Sequence, residues 1–354
     1  MNSSEEFAGQ TLRIIDANLN RIGESLRLLE DIARLILNDA TLSRQLKEMR
    51  HDLEDVDFTF KKQLIQARQA NSDVGADIKV EQQLEKRSLH TSVIANCRRI
   101  EQSLRVIEEL AKTPGIELNP ADFEKARFQL YTTEKTIISK LLRKDKSAKI
   151  NGRVVIIDTA YVKNENLTEV AKQALNSEAK IILLSDKTTP KDKLLQEVIE
   201  IGKLCKEYNA LFIIKGHIDI AIASDADGIH IGAEDIPIAT ARKLLPIDKI
   251  IGYTVKTSQE ALFAEQEGAD YIALSAIFDH DFKTDTEPAR AKNLHCIKEK
   301  TGLPIVGLDN IIYDSICGVI SCGAESATVV SVEPEVSSLK EATIQLIKGY
   351  KSDK

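Results

Sequence analysis

From residue 154 onward, short apolar runs alternate with amphipathic stretches eight times. The runs are VVIID (154–158), KIILL (180–184), ALFII (210–214), GIHIG (228–232), IIGYT (250–254), YIALS (271–275), PIVGL (304–308) and TVVSV (328–332). Continuous apolar runs are the mark of parallel strands buried on both faces, and a helix between each pair lets the sheet curl closed. The pattern therefore predicts an α/β region over 151–354 folded as a (β/α)8 TIM barrel, with chemistry in the loops that follow the strand C-termini.

The first part of the chain carries helical periodicity instead, predicting an all-α helical-bundle domain over 1–145. It contains an internal repeat: residues 16–35 (DANLNRIGESLRLLEDIARL) match 94–113 (IANCRRIEQSLRVIEELAKT) at a constant offset of 78. Ile22, Leu26, Leu29 and Ala33 fall on one face, as do Ile100, Leu104, Ile107 and Ala111, so each copy predicts one helix of a hairpin. The repeat also keeps Asn18/Asn96, Arg21/Arg99, Ser25/Ser103, Arg27/Arg105 and Glu30/Glu108. These polar positions read either as solvated faces and helix bridges, or as an anion pocket in which Arg21 and Arg99 bind phosphate. Arg50 and His51 are candidates to join such a pocket. The polar stretch 141–153 (LLRKDKSAKINGR) is the expected boundary, and 71–90 is long enough for a functional loop.

At 354 residues the chain exceeds what one barrel needs. A net charge of −7 argues against nonspecific nucleic-acid or membrane partners, while leaving room for a local basic pocket. The polar opening MNSSEEFAGQ and five scattered cysteines without CxxC spacing predict a cytoplasmic protein with reduced thiols.

The motifs DADGIHIGAEDIP (225–237), IIGYTVKTSQEALFAEQEGADYIALSAIF (250–278), Lys283 and PIVGLDNI (304–311) occur in the order of the thiamine phosphate synthase pattern. The barrel resembles that family over nearly its whole length. The helical region is similar to the N-terminal extension of some bacterial members, which carries a "DANxNRxxEgLRvLEDxaR … RH" pattern. The resemblance implies a transferase that joins hydroxymethylpyrimidine pyrophosphate to thiazole phosphate and releases pyrophosphate. It further implies Mg2+, small phosphorylated pyrimidine and thiazole ligands as partners, and compatibility with a homodimer.

Carried over position by position, the resemblance gives a divided site. Lys187 matches the lysine after strand two, but the neighbouring Gln and Arg positions are Leu183 and Ser185. Where the family has Asn-Asp after strand three, Lys215 and Gly216 stand, so Asp235 is the metal carboxylate that is kept. Thr254 keeps the hydroxyl of the family's Ser, Lys256 replaces a His, Lys283 matches the pyrophosphate lysine, and Ser331 fits the phosphate turn after strand eight. Asp309 and Asn310 replace paired glycines. The resemblance thus assigns catalytic roles to Lys187, Thr254 and Lys283, phosphate or substrate contacts to Lys215, Lys256 and Ser331, and the metal to Asp235.

Plainer readings compete. Asp235 also reads as a cap for the following helix, Lys187 and Lys283 as surface lysines, and His230 as a satisfied barrel residue. Three functions stay open: an active synthase with altered contacts, a degenerate barrel serving as a ligand-binding, regulatory or scaffold module, and a helical domain that holds the working chemistry.

Overall fold

The protein is described as a computed structural model covering residues 3–55, 57–68, 88–160, 162, 166–274, 295–307 and 326–330. It separates into two compact units, Met1–Leu141 and Leu142–Lys354.

In the first unit, helices α1 (Ser3–Asp31), α2 (Ala40–Glu54), α3 (Phe58–Gln66), α4 (Leu89–Leu110) and α5 (Pro120–Ser147) follow one another, and a π-turn at Ile32–Ile36 ends α1. The two repeats are the seams of α1 and α4. Ile15, Ile22, Leu26 and Leu29 on α1, and Val93, Ile100, Leu104 and Ile107 on α4, are fully buried or nearly so. The stretch that follows the first repeat, 42–64, falls in two helices because Asp57 starts a new one, its carboxylate accepting from the Thr59 amide. Helix α5 continues through most of the stretch expected to be a linker. No glycine or proline stands between Pro120 and Gly152, so nothing local stops the helix earlier.

The conserved polar pairs of the repeat have structural tasks. Asn18 and Asn96 donate to the carbonyls of Ile14 and Ser92, each at 2.8 Å and each four residues back, and so bind their own helices. Glu30 accepts from Arg50 on α2 at 3.3 Å, and Glu108 accepts from Arg127 on α5 at 3.2 Å. Each hairpin is therefore tied by the same half-buried ion pair. Arg105 also pairs with Glu108 one turn away, and both it and its counterpart Arg27 are exposed.

The second unit is α/β. Strands β1 (Gly152–Asp158), β2 (Ile181–Ser185), β3 (Leu211–Lys215), β4 (Gly228–Ile231), β5 (Ile250–Val255), β6 (Tyr271–Leu274), β7 (Ile305–Gly307) and β8 (Ser326–Val330) pair in chain order, and β8 returns to β1 to close the sheet. Helices α6 (Leu167–Asn176), α7 (Lys191–Glu207), α8 (Ile218–Ala223), α9 (Ile238–Leu244) and α10 (Ser258–Glu267) lie between strands in the chain. Side chains alternate across the pleat. Val154, Ile181, Leu183, Leu211, Ile213, Ile250 and Tyr271 cluster inside the closed sheet, while Val155, Ile182, Leu184, Phe212, Ile214, Ile251 and Ile272 pack under the helices. Two-faced burial explains why these runs are apolar at every position. The buried Cys97 and Cys205 thiols are pushed up to about 12, chiefly by burial, which leaves them protonated and unreactive.

Candidate active site

Inside the closed sheet, the last inward layer turns polar. Ser185, Lys215 and His230 are register partners across β2, β3 and β4, and His230 stands opposite Gly252 on β5. His230 is completely buried and hydrogen-bonded at both ring nitrogens: Nδ1 with the Tyr271 hydroxyl at 3.1 Å, and Nε2 with Thr254 Oγ1 at 2.8 Å. Burial, reinforced by the positive charge of Lys215, lowers its pKa to about 3. The ring is therefore neutral at pH 7, and it is a structural partner of Thr254.

Because an unfolded histidine titrates near 6.5, only the unfolded state takes up this proton between pH 6.5 and 3. The stabilisation is fully present above that window and is lost as the pH falls through it. At pH 4.5 the expected loss is about 2–3 kcal/mol. Thermal melts from pH 7 to 4 should show it as a falling Tm, and His230→Gln should flatten the profile.

Asp235 lies on the loop after β4, exposed. Its Oδ2 accepts from the Gly232 amide at 2.8 Å. It does not cap α9, whose N-cap is Pro237 with no side-chain bond. Gly216, just past the end of β3, has φ +76, and a Cβ built on it would stand 3.5 Å from Asp235 Oδ1. The two positions are thus neighbours, and the absent side chain at 216 leaves room beside the Asp235 carboxylate. Lys215, the last residue of β3, is exposed at the same end.

The loop after β2 is organised by Asp186, which the family pattern leaves unspecified. Although burial opposes ionisation, bonds from the Thr159 and Thr189 hydroxyls and the Thr188 and Thr189 amides hold this carboxyl below its ordinary range. The Asp186 carbonyl also meets His217 Nε2 at 2.8 Å, tying this loop to the one after β3. The signal was present in D-K-T-T, an acidic residue followed by hydroxyls two and three positions on. Lys187 is exposed directly beside it.

Thr254 is half-buried near the end of β5, and Lys256 follows the strand, exposed, with its amide donating to Glu260 Oε2 at 2.8 Å. Lys187, Lys215, Asp235, Thr254 and Lys256 therefore all occupy C-terminal ends of neighbouring strands or the loops just beyond them. Lys283, Ser331, Asp309 and Asn310 lie outside the described residues. Arg21 and Arg99 are exposed on α1 and α4 of the helical unit. Among the described residues no group of three or more His, Cys, Asp or Glu side chains is placed to hold a metal ion, and no helix is long and apolar enough to cross a membrane.

A family model described as thiamine monophosphate synthase matches residues 154–332, and one described as the ThiD2 family matches residues 13–136. The chain is 32% identical over 338 residues to a thiamine-phosphate synthase of Prochlorococcus marinus strain AS9601, covering 95% of this chain and 94% of that one. Against a thiamine-phosphate synthase of Synechocystis the identity is 30% over 336 residues, covering 95% of each. Among solved structures, a thiamine phosphate pyrophosphorylase from Pyrococcus furiosus superposes with a TM-score of 0.51 at 29% identity, covering 58% of this chain and 98% of that one.

Proposed function

The chain belongs to the thiamine monophosphate synthase family, a transferase class of thiamine biosynthesis, and on that premise we propose how its own residues carry the reaction. A bond between the pyrimidine methylene carbon and diphosphate oxygen breaks, a bond from that carbon to the thiazole ring nitrogen forms, and diphosphate leaves. Negative charge builds on the departing diphosphate and positive charge on the methylene, so the site must supply fixed cations for one and polar groups for the other.

Lys187, just after β2, and Lys215, the last residue of β3, supply charge for diphosphate at the C-terminal end of the (β/α)8 barrel, and Lys283 is assigned to the same task. Lys256 and Ser331 contact the phosphorylated substrates. The observation that carries the reading is the Tyr271–His230–Thr254 hydrogen-bonded chain, which holds one hydroxyl in place near the C-terminal end of β5. With the His230 proton on Nε2, Tyr271 donates to Nδ1 and Nε2 donates to Thr254 Oγ1. The Thr254 hydroxyl proton is then free to donate to substrate.

Mg2+ supplies charge neutralisation to diphosphate when bound. The described residues do not by themselves form a cage for it, since hard divalent cations need several oxygen ligands. Asp235 is the carboxylate assigned to hold it, with diphosphate oxygens completing the set, so metal binding to the free protein is expected to be weak. In the helical domain ahead of the barrel, Arg21 and Arg99 are assigned to anion contacts: both are exposed at matching positions of the repeat while Glu30 and Glu108 take other arginines. The working site is a cytoplasmic one.

Purified protein incubated with hydroxymethylpyrimidine diphosphate, thiazole phosphate and Mg2+ is expected to form thiamine phosphate and release diphosphate one for one. Formation of no product under saturating substrates would leave the scaffold reading in its place.

A further inference from the structure

We propose that Asp186 is a positioning residue for the barrel reaction, a clamp that joins the loops after β1, β2 and β3 and so holds Lys187 in place to receive diphosphate. The inference rests on the diphosphate role of Lys187 and adds the residue through which that role is set.

A lysine on a loose loop loses backbone and side-chain freedom each time it binds an anion. Here the backbone is fixed in advance. Asp186 is only 5% exposed, and its Oδ1 accepts from the amides of Thr188 at 3.1 Å and Thr189 at 2.9 Å. Both amides follow Lys187 in the chain, so the carboxylate closes a turn with Lys187 inside it. Its Oδ2 accepts from the Thr189 hydroxyl at 2.6 Å and from the Thr159 hydroxyl. Thr159 follows β1, and its own amide donates to the Ser185 carbonyl at 3.0 Å. On the other side, His217 after β3 meets the Asp186 carbonyl at 2.8 Å. The turn that carries Lys187 is therefore pinned from both neighbouring loops.

The same bonds leave the lysine available. Four donors fill the two carboxylate oxygens of Asp186, so its charge is satisfied without the adjacent ammonium. Lys187 forms no ion pair among the described residues, whereas Lys191, at the start of α7, pairs with Asp219. A saturated carboxylate beside an unpaired lysine suits the preorganised presentation of positive charge. A turn that served stability alone would use the same bonds, and what separates the two is whether loss of Asp186 acts through Lys187.

A double-mutant cycle separates them, read both as affinity for inorganic diphosphate with Mg2+, by calorimetric titration of the full chain, and as turnover of the two phosphorylated substrates. Lys187→Ala is expected to weaken diphosphate at least ~10-fold. Asp186→Ala should reproduce most of that loss, and the double variant should bind no more weakly than Lys187→Ala alone. Asp186→Asn should restore affinity to within about 3-fold, because its oxygen can accept from the two amides while its NH2 donates to the two hydroxyls. Should Asp186→Ala fail to fold, Thr159→Val, which removes only the tie to the β1 loop, takes its place in the cycle with an expected loss of about 3-fold. Additive losses, unchanged affinity in Asp186→Ala or Lys187→Ala, or no diphosphate binding by the unaltered protein would overturn the proposal. Non-additive losses in a protein that forms no thiamine phosphate would instead keep the clamp and remove the synthase reading.

Discussion

Gly252→Ala is expected to cost the barrel about 3–5 kcal/mol, a large share of the 5–15 kcal/mol that keeps a typical domain folded. A Cβ at this position would fall 2.0 Å from Tyr271 Cζ and 2.3 Å from its hydroxyl oxygen. The ring cannot step aside freely, because Tyr271 is only 4% exposed and packed among the inward strand residues. Moving it also breaks the bond to His230 Nδ1, which strands a buried polar ring. Urea unfolding should show the midpoint falling sharply, and Gly252→Ala combined with Tyr271→Leu should recover part of the loss. An unchanged midpoint in the single variant would mean that the ring is not packed as described.

Asp235→Asn is expected to lower turnover by about 100-fold, in line with the loss of the carboxylate assigned to hold the Mg2+ that would neutralise the departing diphosphate. Asparagine keeps an acceptor for the Gly232 amide, so the loop should hold its form while its negative charge is lost. The same neighbourhood suggests the reverse experiment. Because Gly216 lies next to Asp235, Gly216→Asp would bring a second carboxylate to the metal position and should tighten Mg2+ binding to the free protein. The strain of φ +76 for a residue with a Cβ opposes this gain. Aspartate tolerates that region better than most residues, which makes it a reasonable choice.

Much of the α/β part was legible because two-faced burial makes every residue of a strand apolar, as in Ile181–Ser185 and Leu211–Lys215. The helical repeat was legible because its seam recurs at a fixed offset. The roles of its polar residues were not. The inter-helix partners of Glu30 and Glu108 lie 20 and 19 residues away, a distance that no local spacing rule covers. The candidate site was readable as a set of residue types at strand ends, whereas its working geometry was not. That His230 orients Thr254 depends on a register match between β4 and β5 and on the space left by Gly252. Likewise, the proximity of Gly216 and Asp235 comes from loops on different strands, so the sequence displayed a lost carboxylate without displaying the room beside the retained one.

In the proposed mechanism thiamine phosphate forms at the barrel mouth around Asp235. Steady-state turnover of the unaltered protein and of Asp235→Asn, measured side by side at saturating Mg2+ with Tm recorded for both, tests it most directly. Product is expected from the unaltered protein, at a rate about 100-fold higher than from the variant, with nearly equal Tm values. Equal rates in the two proteins, or no product from the unaltered one, would contradict it.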